Sequence, residues 1–511
     1  MTLDPASANT SAHAAPMPLD APVMSVIVPS SARMEMFWKV MCERRKYCPS
    51  HAMLSLCTVS MHARYRRTMA RSPQREILSF RFPEPIQRVT ARGSRIFVLP
   101  MQQATTISIG AYALIDPAAV PIAGLAHLTA TMLSRGTRHR SERQFATRVD
   151  VLGASFQAGS THRSIGAEIT GLPETADELI ALLAESLSEP RFDPAEFEKA
   201  KQQHLASFPI RLADSAYRVR RIFQKLRFPG HSYSASLYGW PSSVAQITIE
   251  DVRQWYQALV EGQPWRILAT GALDPVRGTA ALEQSFAAIG GSGDATISPP
   301  PSPPAAIGIG QGVMTDQVEL RLGHPAPSLT SDDYAATILI ATAFAGHFRS
   351  RINMLVREQE GLTYGAYGGV TAGKDHGTFI LSTSTTPENL PRMLSLLYAE
   401  WDRLVQEPLR EDELHQARQS LYNNFWRSIE TPDGTAAIAL DLAINDLPAD
   451  YYTRLLAEID QLDPAALLAV QQRVFDPSRM LTAAVGELDV IARALAPYGS
   501  PHHIVLEEEQ Q

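Results

Sequence analysis

At 511 residues, with 45% apolar and 19% charged side chains, the chain has the composition of an ordinary globular protein large enough for two to four domains. Its net charge of −7 is uneven: residues 1–75 hold 10 Lys/Arg against 4 Asp/Glu, and the remainder holds 36 against 49. An acidic body disfavours a nucleic-acid partner, because phosphate binding needs a basic face. No apolar run reaches the length of a membrane span and no signal peptide with a small-residue cleavage site is visible, so a cytoplasmic location is the default expectation. The Arg-rich, acid-poor stretch around Met61 to Met69 leaves periplasmic or organellar targeting open.

Residues 1–76 carry nine of the fifteen methionines, all three cysteines and no sustained period, which reads as a disordered extension or a start site placed too early, the true one being Met61 or Met69. Cys42, Cys48, His51 and Cys57 match none of the usual paired zinc spacings, so unpaired thiols are the simpler reading. Patterned sequence starts at Ile77. Ile86 to Leu99 predicts two strands around Gly93, and Thr105 to Leu114 alternates as a half-buried strand does. A helix around His127 follows, then a short helix from Phe145 to Leu152 and a hairpin from Ser155 to Leu172. Pro173 opens a helix to about Ser188, and Asp193-Pro194 caps the next, which carries Glu196, Glu198 and His204. Helices at Ser215 to Lys225 and Thr248 to Val260 precede a strand at Trp265 to Ala272.

The Gly/Pro-rich stretch 291–308 reads as a linker between a domain at 77–290 and a second at 309–499, with a tail at 500–511. The second half repeats the order: a strand at Gln317 to Leu322, helices at Ser331 to Ala345 and Arg349 to Glu358, and strands at Thr363 to Val370 and Thr378 to Ser384. Helices then dominate from Pro387 to Val474, before a strand at Met480 to Gly486. The expected fold class is α+β: two duplicated domains, each a largely antiparallel mixed sheet with helices packed on one face.

Gly124-Leu-Ala-His127, Arg135-Gly-Thr137, Leu152-Gly-Ala154, Phe228-Pro-Gly-His-Ser-Tyr233 with Gly239-Trp240, and Ile247-Thr248 before Tyr256 together resemble the pitrilysin/insulinase zinc metallopeptidases, in their short, two-domain branch similar to the mitochondrial processing peptidase. The resemblance implies a helix bearing His-x-x-Glu-His, on which two imidazoles four residues apart grip zinc and the glutamate works on the metal-bound water. Here those positions read His127, Ala130 and Thr131. The third ligand, a glutamate expected within 201–208, is missing as well: that window holds only His204, while Glu196 and Glu198 fall one to two turns too early and read as solvated helix charges. His139 and His162, at no usable spacing, read as a turn and a strand surface. A catalytic zinc needs three protein ligands and an open position, so no metal is expected on this chain.

The second half keeps what the first has lost. Ser350 to Tyr367 resembles the segment with which the second domain of these peptidases completes the active site, and Arg357 and Tyr364 match an arginine and a tyrosine seven residues later that reach the bound peptide. A guanidinium donates to peptide carbonyls, and a phenol donates to the oxyanion formed when water attacks the scissile bond. Without the resemblance, Arg357 would be a cation favouring a helix C-terminus and Tyr364 a packed strand residue. The resemblance implies a catalytically incomplete subunit that binds extended peptide and completes the site of a zinc-bearing partner in a heterodimer. The alternative is a structural or assembly protein of peptidase ancestry. No Gly-x-Ser-x-Gly elbow or phosphate-binding Gly-Lys loop supports an independent hydrolase. The segment before Ser350, Ala-Phe-Ala-Gly-His-Phe, lacks the glycine-rich loop of the substrate-recognising mitochondrial subunit.

Overall fold

A computed structural model describes residues 82–293, 297–313 and 316–509. The readings made for residues 1–76, including the cysteine cluster and the internal methionines, lie outside the described residues. Two six-stranded sheets organise the rest. The first contains β1 (Ile86–Val89), β2 (Arg95–Pro100), β3 (Ile107–Leu114), β4 (Ser155–Ser160), β5 (Ser164–Gly171) and β6 (Trp265–Gly271), in the order β1-β2-β6-β3-β5-β4. The second contains β7 (Ala306–Gln311), β8 (Val318–Ala326), β9 (Ala366–Ala372), β10 (Gly377–Thr385), β11 (Leu481–Gly486) and β12 (Pro501–His503), in the order β12-β7-β11-β8-β10-β9. Each is mixed: β2 runs parallel to β6 and β7 parallel to β11, whereas β3 and β8 pair antiparallel with both their neighbours. Five strands follow the same order in both halves, β2-β6-β3-β5-β4 and β7-β11-β8-β10-β9, as duplication requires; the outer strand differs, since β1 precedes β2 and pairs with it antiparallel, whereas β12 comes last and runs parallel to β7.

Strand periodicity decides which face each side chain enters. In β3 the residues Ile107, Ile109, Ala111 and Ala113 all turn into the first core, where they meet Leu179, Leu182 and Leu183 of the helix Ala176–Ser188. The opposite face takes a helix from the other half of the chain: Ile438, Ala439 and Leu442 of the helix Pro432–Ile444 pack against Phe82, Leu99 and Leu268. Polar contacts fix that crossing. Arg266 Nε donates to the Ala443 carbonyl at 2.9 Å, and Thr270 Oγ1 to the Pro432 carbonyl at 2.8 Å.

The second sheet returns the exchange. Val219, Ile222 and Phe223 of the helix Ser215–Arg227, which belongs to the first half, lie against Leu481, Ala483, Val485 and Leu506. Each sheet therefore has its own helices on one face and a borrowed helix on the other. The two corresponding hairpin turns, β4–β5 and β9–β10, also meet, where Arg163 Nη1 lies 3.0 Å from Asp375 Oδ1.

Two sequence boundaries need correction. β7 begins at Ala306, inside the stretch read as a linker, and was not foreseen as a strand. Glycine at alternate positions of Ala306-Ile-Gly-Ile-Gly-Gln311 weakens the strand signal, but a Cβ at Gly308 or Gly310 would come within 2.8 or 2.5 Å of the Ile222 side chain. The glycines are there to admit the borrowed helix. Likewise the stretch read as a tail supplies β12, and beyond it the fully buried Glu508 carboxylate, 2.8 Å from Arg221 Nε and 3.1 Å from the Tyr217 hydroxyl.

Phe223→Ala should cost about 3–5 kcal/mol of stability, the usual penalty for emptying a buried phenylalanine site. Because the exchanged helices couple the halves, urea unfolding of the wild type followed by tryptophan fluorescence and far-UV circular dichroism should give one coincident transition; two separated transitions would contradict that coupling.

Candidate functional site

Gly124 starts the His127 helix, Leu125–Met132, from a left-handed conformation with φ of 92°. Any Cβ there would come within 2.9 Å of the Tyr238 carbonyl oxygen, so glycine is required by the close approach as well as by the dihedral. The helix is short and enclosed, with Leu125, Leu128, Thr129, Ala130 and Met132 buried. His127 is the half-buried residue that faces the long helix Pro194–Ala213 and meets His204 there, with ring centroids 4.7 Å apart. Tyr238 closes the group at 4.9 Å from His127.

His204 Nε2 lies 2.8 Å from the Tyr238 carbonyl oxygen. A carbonyl can only accept, so this nitrogen carries the proton and is not free to bind a metal. The Arg211 guanidinium stacks 3.6 Å above the centre of the Tyr238 ring. Burial, then the neighbouring His204 and Arg211, push the His127 imidazole down to about 3. Burial chiefly, with Arg211, also lowers His204, against the opposing pull of the Tyr238 carbonyl. Both rings are therefore held neutral beside a guanidinium.

The zinc-motif positions are filled in ways that do not fit the metal. Ala130 is buried and offers no ligand, and Thr131 Oγ1 donates to the His127 carbonyl at 3.0 Å. In the window read for the third ligand, Lys201 Nζ donates to the carbonyls of Ala245 and Ile247, both at 2.8 Å. Glu198 is exposed, and Glu196 is drawn to Arg135 at 3.8 Å and Lys199 at 3.5 Å. Among the described residues no three His, Cys, Asp or Glu side chains converge as a metal site. His139 pairs with Glu189 at 2.8 Å. His162 lies in the β4–β5 turn, not on a strand surface, with Nε2 3.1 Å from the Ala235 carbonyl oxygen. Tyr238 and Arg211 were missed as members of the cluster. Helical spacing could have indicated Arg211, which follows His204 and Phe208 at i+7 and i+3 on one face, but nothing local marks Tyr238, which tertiary folding brings in.

The second half presents the opposite picture. The short helix Arg351–Asn353 widens into a π-helical stretch, Met354–Gln359, that carries Arg357. Its start is anchored by Arg351, whose nearly buried guanidinium makes two contacts to Glu413, at 2.9 and 2.7 Å, and lies 3.6 Å from Glu400. Asn353, with no exposed surface, ties the ends of the segment together. Its amide donates to the Phe348 carbonyl at 2.7 Å and accepts from the Ala366 N–H at 3.0 Å.

Between those ties the loop 361–365 is fastened along its backbone. Gly361 N–H donates to Arg357, Leu362 N–H to Val356, and the hydroxyls of Thr385 and Thr383 to the carbonyls of Leu362 and Gly365. From this held loop the Tyr364 side chain stands 100% exposed, ahead of β9. The alternative of a tyrosine packed in a strand is thereby excluded. The Arg357 guanidinium, about one-third exposed, lies 4.3 Å from the centre of the Phe348 ring and 3.0 Å from the Glu358 carboxylate. The fold brings His127 and His204 together; Arg357 and Tyr364 share one segment but do not bond to each other.

The depressed His127 pKa has a definite consequence for stability. The folded state binds the proton only near pH 3, whereas the unfolded imidazole takes it up near 6.5, so stability falls as the pH drops from about 6.5 towards 3. Denaturant titrations across that range should show wild type losing stability relative to His127→Leu; parallel pH profiles would contradict a buried neutral imidazole.

Comparison with known proteins agrees with this architecture. The family profile for the insulinase family (peptidase family M16) matches residues 108–226, and that for the peptidase M16 inactive domain matches residues 246–421, together more than half of the chain. An uncharacterized zinc protease of Streptomyces coelicolor is 23% identical over 351 residues, covering 65% of this chain and 74% of that protein. The non-peptidase homolog YmxG of Helicobacter pylori is 22% identical over 345 residues, covering 66% and 79%. In three dimensions, a peptidase M16 inactive-domain protein from Pseudomonas fluorescens superimposes with a TM-score of 0.73 at 22% identity, covering 79% of this chain and 98% of that one. Two duplicated six-stranded sheets, the altered helix at His127 and these matches lead to one conclusion: the chain belongs to the insulinase family, peptidase M16.

Proposed function

We propose that this chain is a catalytically incomplete M16 subunit that binds extended peptide and completes the active site of a separate, zinc-bearing partner. The observation that carries the reading is the contrast between the two halves. Where a zinc enzyme would place its ligands, this chain has two packed, neutral imidazoles, one already bonded to a carbonyl. Where the peptide would be held, it presents a fully exposed phenol on a loop whose backbone is fastened on both sides. An exposed aromatic on a restrained loop loses little conformational entropy when it binds.

In this role Arg357 donates hydrogen bonds to carbonyls of a bound peptide, and Tyr364 donates its phenolic proton to the oxyanion that develops when the partner's water attacks the scissile bond. Zinc, water and base come from a partner bearing His-x-x-Glu-His, and this chain holds no zinc of its own. Extended peptide could join an open sheet edge as an added strand, and both β4 and β9 end their sheets. Among the described residues no helix is long and apolar enough to cross a membrane.

A second reading, a structural or assembly protein of peptidase ancestry, draws on two likenesses. One is the relative named a non-peptidase homolog; the other is a chain of complex III from Candida albicans, which shares the fold with a TM-score of 0.67 at 14% identity. On this reading Arg357 and Tyr364 are dispensable.

Purified alone, the chain should bind no stoichiometric zinc and show no chelator-sensitive peptide cleavage. Co-expressed with an M16 chain bearing the intact motif, it should support cleavage of a quenched fluorescent peptide. Tyr364→Phe should then lower kcat by roughly 100-fold, the loss typical of one oxyanion donor. Full activity of both Arg357→Ala and Tyr364→Phe would refute the divided site and favour the structural reading.

A further inference from the structure

We infer that Phe348 is a positioning residue for Arg357: its ring sets the direction in which the guanidinium meets the peptide. This rests on the reading of Arg357 as a peptide-binding group. Phe348 is a large apolar side chain left 47% exposed. Its ring is not spent on filling the core, and the Arg357 guanidinium lies over it at 4.3 Å. Guanidinium groups stack favourably on aromatic faces, and stacking leaves their N–H edges free to donate in the plane.

The other contact of the Arg357 guanidinium, 3.0 Å from Nη1 to the Glu358 carboxylate, restrains only one of its edges. Its Nη1 atom is buried but makes no hydrogen bond of good geometry, and the Glu358 carboxylate nearby sits on a partly exposed side chain of the same turn. A π-helical stretch also gives the Arg357 backbone wider turns than an α-helix would. The backbone that carries the ring, by contrast, is held. The Phe348 carbonyl accepts from the fully buried Asn353 amide, which is also bonded to the N–H of Ala366, two residues beyond Tyr364. One buried side chain thus links the backbone that carries the aromatic platform to the backbone that carries the tyrosine.

The test uses the complex of this chain with a zinc-bearing M16 partner and a quenched fluorescent peptide. Phe348→Ala should reduce kcat/KM about two- to fivefold, the range an exposed cation–π contact allows. Phe348→Tyr should restore it. Phe348→Ala should add nothing further in an Arg357→Ala background, and the melting temperature should stay near that of wild type because the ring is half exposed. In the isolated chain, the Arg357 Nε–Hε NMR resonance should lose its ring-current shift in Phe348→Ala. An impaired Arg357→Ala beside an unimpaired Phe348→Ala, or effects of the two that simply multiply, would overturn this inference alone. Full activity of Arg357→Ala would overturn it together with the reading on which it rests.

Discussion

The exchange of helices between the two halves is the constraint on which the rest of the molecule depends. A six-stranded sheet buried on one face only would leave Leu99 and Leu268, or Leu481 and Val485, open to water. Each half covers the other's sheet with one helix, and the hydrophobic effect that stabilises one half therefore requires the other. The polar groups on these faces follow the same logic. Arg266 and Thr270 would be unsatisfied donors on a buried face without the carbonyls of Ala443 and Pro432. Glu508 would be a buried lone charge without Arg221 and Tyr217.

Within that frame, the two halves have been put to different use. At the zinc-motif position the helix survives as a packing element. His127, His204, Tyr238 and Arg211 form a packed cluster of tilted and edge-on rings, and the guanidinium over the Tyr238 ring disfavours any further positive charge there. In the second half, carboxylates and amides are spent on holding a loop still: Arg351 between Glu413 and Glu400, and Asn353 between Phe348 and Ala366. Buried, hydrogen-bonded pairs of this kind favour one conformation, here through the two Arg351–Glu413 bonds and the two Asn353 bonds. Their effect is to present Arg357 and Tyr364 from a fixed backbone.

Much of this was legible in the chain itself. Alternation in β3, the Asp193-Pro194 cap and the repeated order of elements convey an α+β duplication, because each follows from local geometry. The substitution of Ala130 and Thr131 for the chemical groups of the zinc motif is visible without any structure. β7 was hidden by Gly308 and Gly310, since strand signals come from side chains and the reason for their absence is Ile222, on a distant helix of the first half. β12 and Glu508 were hidden for a related reason: a short polar tail acquires a buried place only through the helix it meets.

The sequence alone determined which chemical groups this protein possesses: one imidazole where the family motif needs two and a glutamate, no acid near His204, and an arginine and a tyrosine seven residues apart. Those are matters of composition at given positions, and no folding can supply a missing carboxylate. Tertiary structure decided what the groups experience. It pressed His127 into a neutral, enclosed cluster, drew Arg211 and Tyr238 to it from other parts of the chain, and left the Tyr364 side chain in solvent while fastening its backbone. The reason is physical: burial, desolvation and hydrogen-bond partners depend on which distant residues come to lie nearby, and that depends on how the two halves cover each other.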